Sequence, residues 1–385
     1  MTSRPSAAAD RQRAAETTSP EPVPNLVGPP SSSSSATDVD SYWTFSQDSD
    51  YDDDRDSSLG EDDSSSTASL SSSILEYRTI HGRTYHSKSW GDADYWTPND
   101  ARQANSMDLT HHTLTLLLNG KIFLAPIGDD PRKVLDIGCG TGIWAIDFAD
   151  IFPKCEVIGT DISPTQPSWV PGNLRFEMDD FNQTPWTFAP GTFDFVHMRY
   201  LCGGVLDWDA LYAEAFRAVR PGTGWVETCE PALRIRSDDG SICEGDGSAL
   251  AAWGPLFEEG ARRYGNRVPG SANSRPSRPM NAVEDGTLER AFRNAGFVDV
   301  VIQTFKCPLT PNSNDPHLCE VGLYAQATME EGMEGFLLYL FTQGLGWTHE
   351  QVILYLSHVR KELRDRRKSP YALVQIIYGR RPENS

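Results

Sequence analysis

The chain has 385 residues, enough for one large domain with a substantial core or for two smaller ones. Its formal net charge of −20 argues against a large nucleic-acid-binding surface, which needs clustered Lys and Arg. The seven cysteines are odd in number and form no CxxC pair, which argues against a zinc site or a disulfide framework and for reduced thiols inside a cell.

The acid is unevenly placed. Residues 1–76 hold 15 Asp/Glu against 4 Lys/Arg, a net of −11, more than half the total charge in a fifth of the chain. Ser runs, Pro and the stretch DSDYDDDRD at 48–56 leave too little apolar surface to offset conformational entropy, so a disordered acidic tail is expected. Tyr42, Trp43 and Phe45 interrupt it, either as a docking motif or as part of a solvated tail. The first residues lack the apolar core of a signal peptide. No apolar run reaches the ~18–20 residues that span a bilayer, FLLYLF at 336–341 being too short. The expectation is an intracellular protein, in cytoplasm or nucleus, without membrane contact.

From Tyr77 the composition is globular. Apolar residues at helical spacing behind an acidic residue predict a helix over 100–120. VLDIG (134–138) reads as a buried strand, GIWAIDFADIFP (142–153) as a helix stopped by Pro153, and EVIGTDI (156–162) as the next strand. LRFEM (174–178), FDFVHM (193–198) and GWVETCE (224–230) are three more strands, with an amphipathic helix over 208–222. Further helices are expected near 248–264, 284–295, 317–343 and 348–365, and two late strands at 297–307 and 372–379. This alternation predicts an α/β fold, a parallel sheet with helices on both faces.

Such a sheet binds ligands outside the carboxyl ends of its strands. The first strand ends at Asp136 and is followed by Gly138-Cys139-Gly140-Thr141-Gly142. Glycines let a backbone approach a ligand closely, and the next helix offers free N–H groups. A dinucleotide loop reads GxGxxG, and its third glycine would fall on Ile143. The GxGxG spacing, an acid two residues upstream and no basic residue in the loop favour the ammonium of a methionine moiety over a pyrophosphate, hence S-adenosylmethionine over NAD. Asp161, with Ile162 beside it, ends the second strand where a carboxylate takes ribose hydroxyls from either cofactor. Asp179 and Asp180 follow the third strand. Asp180, further past the strand end, is favoured for an adenine amine, with Phe181 against the ring.

At the fourth strand's end, His197 is either a general base or a packed strand residue. Arg199 either binds an acidic acceptor or pairs with a surface carboxylate, and Glu227 and Glu230 are further candidates. His111 and His112 are adjacent on a helix, so at most one faces the site, and no metal site is read there. Methyl transfer is an in-line displacement that needs mainly positioning, so no single catalytic residue stands out.

HGRTYH (81–86), YWTPND (95–100), MDLTHH (107–112), VLDIGCGTGIWAIDFA (134–149), GTDISPTQPSWVPGNLRFEMDD (159–180), FDFVHMRYLCG (193–203) and YALVQIIYGRRP (371–382) together resemble the fungal LaeA-type methyltransferases, regulators of secondary metabolism and relatives encoded in biosynthetic clusters. The resemblance implies the class I methyltransferase fold, Rossmann-like with seven strands, the last pair antiparallel. It implies S-adenosylmethionine at Asp136, Gly138, Gly140, Asp161 and Asp180, with Thr141 and Gly142 in the same loop. It also implies that GRTYH and YWTPND form a lid that brings Tyr95 or Asn99 to the cofactor. The expected plan is a tail over 1–76 and a methyltransferase domain over 77–385, with lid helices at 77–130, a cofactor-binding core at 131–232, and acceptor-side helices and last strands at 233–385. The chain departs from the family's pattern at Ala101-Arg102-Gln103-Ala104, where an acid usually follows PND, and at Pro221-Gly222-Thr223-Gly224-Trp225, one residue longer than PGGW. The resemblance leaves two roles open. One is turnover on a small-molecule or protein acceptor. The other is a cofactor-binding regulator that acts through nuclear partners, by the tail or the C-terminal helices. The basic run at 361–368 reads as a nuclear signal or as a charged helix end.

Overall fold

A computed structural model describes residues 76–87, 95–243, 245, 247–265 and 280–384. The acidic tail up to residue 75, with Tyr42, Trp43 and Phe45, lies outside the described residues. Two short strands, β1 (Arg78–Ile80) and β2 (Arg83–Tyr85), pair as a hairpin. His81 and Gly82 at its tip have φ of 49° and 78°, the backbone of a two-residue type I′ connection. The described residues of the region expected to hold lid helices thus form a hairpin and one helix. Strands of three residues are too short to show a readable alternation.

Helix α1 (Ala101–Leu117) begins where expected, capped by Asp100, whose carboxylate accepts the Gln103 amide at 3.0 Å. Arg83 grips the same carboxylate through two N–H groups at 2.5 and 2.8 Å, which ties the hairpin to the start of α1. The chain continues through β3 (Lys133–Ile137), α2 (Ile143–Ile151), β4 (Glu156–Asp161), β5 (Leu174–Met178), β6 (Phe195–Arg199), α3 (Trp208–Ala218) and β7 (Trp225–Pro231). Then come α4 (Ala249–Gly265), α5 (Thr287–Asn294), β8 (Val298–Pro308), α6 (Pro316–Leu340), α7 (His349–Leu363) and β9 (Tyr371–Arg380), with a π-helical turn at Phe341–Leu345. Helix α3 is four residues shorter at its end than the sequence pattern suggests, because Val219 leaves the helix to bridge Phe193.

The large sheet has seven strands in the order β5-β4-β3-β6-β7-β9-β8. Five pair in parallel, and β9 runs antiparallel to β7 and β8, which is how the expected late reversal is built. Alternate residues feed different layers. Leu135, Ile137, Val196, Met198 and Val226 pack with Leu211 and Tyr212 of α3 and Leu288 and Phe292 of α5. Val134, Val157 and Phe195 pack with Trp144 and Phe148 of α2. Helices α1, α4, α6 and α7 share a further core with Cys229, Val374 and Ile376.

The open end of α2 is closed from a distance. The Asn173 side-chain amide donates toward the carbonyls of Ala149, Phe152 and Cys155 at 3.1, 3.1 and 2.9 Å. No water has to reach those carbonyls beside the buried Cys155. Asn173→Ala should lower stability by about 1–2 kcal/mol, read as a lower urea midpoint with an unchanged slope. An unchanged midpoint would overturn this account of the helix end.

Candidate functional site

The loop after β3 is shaped by close approach. Gly138 and Gly140 have φ of 64° and 58°, where L side chains are strained. A Cβ on Gly138 would lie 2.5 Å from Leu201 Cδ2, and one on Gly140 would lie 2.0 Å from Met107 Cε. The Asp161 carboxylate braces the loop: Oδ2 accepts the Gly140 amide at 2.8 Å and Oδ1 accepts the Ser163 amide at 2.9 Å. Burial pushes the Asp161 carboxyl up to about 6, against those two hydrogen bonds. Thr141 donates its hydroxyl to Asp108 at 2.7 Å, and Gln166 donates to the Gly140 carbonyl at 2.7 Å.

Above the loop lies a chamber of about 940 Å³, part of it open to solvent. Of the residues singled out in the sequence, Tyr95, Gly138, Gly140, Thr141, Asp161, Ile162, Asp180 and Phe181 line it, as does Asn99. Gly142 and Asp179 are not among its lining residues. Gly142 is packed under the Phe176 ring, and Asp179 turns back to accept the Asp180 amide at 2.9 Å. Asp180 is buried and accepts the Asn182 amide at 3.0 Å.

A second chamber of about 1550 Å³, again partly open, adjoins the first. Tyr95, Gln103, Met107, Gly138, Arg199 and Tyr200 line both and mark the boundary between them. Asp136 and His197 face the second. His197 Nδ1 lies 2.8 Å from Asp136 Oδ1, both side chains are almost fully buried, and the imidazole stacks on Trp144 at 3.7 Å between centroids. Burial pushes the imidazole pKa down more than Asp136 pulls it up, so the ring is neutral and Nδ1–H donates to the carboxylate. His197 is thereby a packed strand residue that orients Asp136. Asp136 Oδ2 is buried with no hydrogen-bond partner.

Arg199 meets neither a surface carboxylate nor any other ion-pair partner among the described residues. Its Nη1 donates to His111 Nδ1 at 3.1 Å. That fixes the tautomer of His111, whose Nε2–H must point to Asp147 Oδ2 at 2.8 Å. His112, on the next face of α1, lies edge-on to Tyr324 and away from the chambers. Glu227 is committed elsewhere: Oε2 accepts the amides of Leu124 and Ala125 at 2.8 and 2.6 Å. Glu230, on the opposite face of β7, receives Leu201 and Cys202, both at 2.9 Å. Both carboxylates pin loops and stand outside the lining of the two large chambers.

Gln103, Met107 and Leu201 were not singled out from the sequence, although Gln103 and Met107 are four residues apart on one face of α1, a readable signal. The His111–Arg199 link carries no sequence signal, joining residues 88 apart. Among the described residues no group of three His, Cys, Asp or Glu side chains could hold a metal ion, and no helix is long and apolar enough to cross a membrane. None of the seven cysteines forms a disulfide with another described residue.

A family model described as a methyltransferase domain matches residues 109–302. The methyltransferase pytC of Aspergillus terreus is 36% identical over 302 residues, covering 78% of this chain and 87% of the relative. The secondary metabolism regulator LAE1 of Cochliobolus heterostrophus is 33% identical over 307 residues, 79% and 94% of the two chains. The protein-methionine methyltransferase laeA of Emericella nidulans is 29% identical over 308 residues, 80% and 77% of the two.

Glu227 carries a pH signature. Burial pushes its carboxyl from 4.5 up to about 7, so over that interval the folded chain keeps a proton that the unfolded chain releases. Its contribution to stability is complete below the unfolded value and is lost as pH rises through about 7. Glu227→Gln keeps a carbonyl oxygen for both amides, and should make the fall of the urea midpoint between about pH 5 and pH 8 shallower. An identical slope in variant and wild type would contradict a buried, protonated Glu227.

Proposed function

The chain belongs to the family of S-adenosylmethionine-dependent methyltransferases, and we propose that its two chambers divide that reaction, the first holding the donor's nucleoside and the second the methyl acceptor. The residues present suit the donor. Asp161, already fixed to Gly140, keeps lone pairs for two ribose hydroxyls. Asp180 offers an acceptor for an adenine amine, beside the Phe181 ring. The unpartnered Asp136 Oδ2 suits the donor's ammonium, and the open N–H groups at the start of α2 suit its carboxylate. When bound, the donor supplies a methyl group activated by a sulfonium charge. The chain's own task is to hold the acceptor's reacting atom at the boundary lined by Met107, Arg199 and Tyr200 and to keep water out.

Tyr200 is built for that boundary. It has φ of 57°, unusual for a residue with a side chain, and its amide is anchored to the Cys229 carbonyl at 3.0 Å. Because β7 holds this strained turn, the ring faces both chambers. The role proposed for the enzyme is in fungal secondary metabolism, the process that its relative LAE1 of Cochliobolus heterostrophus is named for regulating. That name also favours a second reading, a donor-binding regulator that works through partners, with the acidic tail as their contact.

The observation that carries the main reading is the half-buried Asp161 carboxylate braced on the loop amide inside the first chamber. Isothermal titration with S-adenosylhomocysteine should show binding to wild type and about 100-fold weaker binding to Asp161→Ala, the loss of two charged hydrogen bonds. Equal affinity in the two proteins would sink the assignment. A binding-dead variant that still complements a deletion would favour the regulator over the enzyme.

A further inference from the structure

Among the described residues, Arg199 is the one Lys or Arg that lines either chamber. It is half-buried, and its hydrogen bond is to a neutral imidazole, not to a carboxylate. A cation so placed costs desolvation energy that no ion pair among the described residues repays. His111, locked to Asp147, fixes where the guanidinium points. Gln103, which also lines both chambers, is only 3% exposed, and its Oε1 has no hydrogen-bond partner. A guanidinium without a carboxylate and an amide oxygen without a donor therefore both belong to residues of the boundary.

Away from Asp136, His197 and a few threonines, the second chamber is largely apolar. Trp96, Trp253, Phe257, Met280, Leu309 and Phe336 wall it, most of them nearly fully buried. A peptide entering there would leave its amides facing rings and methyl groups, at about 1–3 kcal/mol for each unpaired group. A ring-bearing small molecule would lose nothing of that kind and would gain apolar contact.

We propose that the second chamber takes an apolar, ring-bearing small molecule that carries one acidic oxygen group, carboxylic or phenolic, and that Arg199 selects for that group by pairing with its anion at the chamber boundary. This rests on the two-chamber reading above and adds the acceptor's class to it. Arg199 is the specificity-determining residue, and His111 and Asp147 are its positioning residues. The donor's carboxylate is left to the N–H groups at the start of α2.

The test uses the full chain, with 2-naphthoate and its neutral isostere 2-naphthamide as probes and isothermal titration near neutral pH as the readout. Wild type should bind naphthoate at least about 10-fold more tightly than naphthamide, the worth of one charge-assisted pair. Arg199→Met should abolish that preference while keeping the naphthamide affinity and the affinity for S-adenosylhomocysteine within about 3-fold of wild type. His111→Ala should retain only part of the preference. If Arg199→Met instead weakens S-adenosylhomocysteine and spares naphthoate, the guanidinium serves the donor and the proposal is wrong. It is equally wrong if wild type binds S-adenosylhomocysteine but neither aromatic probe, or both probes alike. These last outcomes need no variant to fold. Failure of wild type to bind S-adenosylhomocysteine would strike the two-chamber reading itself.

Discussion

Asp136, His197 and Glu227 stand in one row across β3, β6 and β7, because the parallel register aligns Asp136 with His197 and His197 with Glu227. The row puts two carboxylates and an imidazole on a sheet face covered by helices, where an unsatisfied charge is costly. Each member is therefore given a partner. Asp136 and His197 take each other, with Trp144 stacked over the ring. Glu227 takes the amides of the segment that leads from α1 back to the sheet. The register thus fixes the floor of the second chamber and the path of the chain above it through one set of hydrogen bonds. Within this row only Asp136 Oδ2 is left without a hydrogen-bond partner, beside the second chamber.

The same logic runs two residue rows further along. Arg199, the last residue of β6, lies opposite Cys229 and reaches α1 at His111. Glu230 ties the loop after β6 to β7 from the other face of the sheet. Burial pushes Glu230 up to about 8 and Glu227 to about 7, the mark of carboxyl groups used as hydrogen-bond anchors where water is excluded. These titratable groups divide by position: those at 227 and 230 hold loops away from the two chambers, and those at 136, 161 and 180 line one chamber or the other.

What could be read in the sequence follows from how local each feature is. The glycine loop, Asp136, Asp161 and Asp180 sit at fixed offsets from strand ends, so hydrophobic patterning and loop spacing suffice to find them. The same holds for β3 to β7 and their order in the chain. Glu227 was legible only as an acid at a strand end. Its commitment to Leu124 and Ala125 lies 103 and 102 residues away in sequence, and no periodicity announces it. The second chamber was illegible for a related reason. Trp96, Trp253, Met280, Leu309 and Phe336 come from five separated segments, and each reads as ordinary core until the fold gathers them around a space.

The distribution of charge gives the site a direction. Asp161 and Asp180 line the first chamber and Asp136 faces the second near the loop, all on the side where a cationic sulfonium would lie. Arg199 is the counterweight at the boundary, and beyond it most of the wall is rings and aliphatic chains. In such a low-dielectric enclosure each charge acts more strongly than it would in water. A positive donor is held by acids on one side, and an anionic oxygen is drawn to the guanidinium on the other. The two reactants then attract each other across the boundary, and desolvation on closing strengthens that attraction. A site with this polarity can dispense with a strong general base, since an acceptor that enters as its anion has no proton left to give up. That accounts for the commitment of His197, Glu227 and Glu230 to structural tasks within reach of a reaction centre.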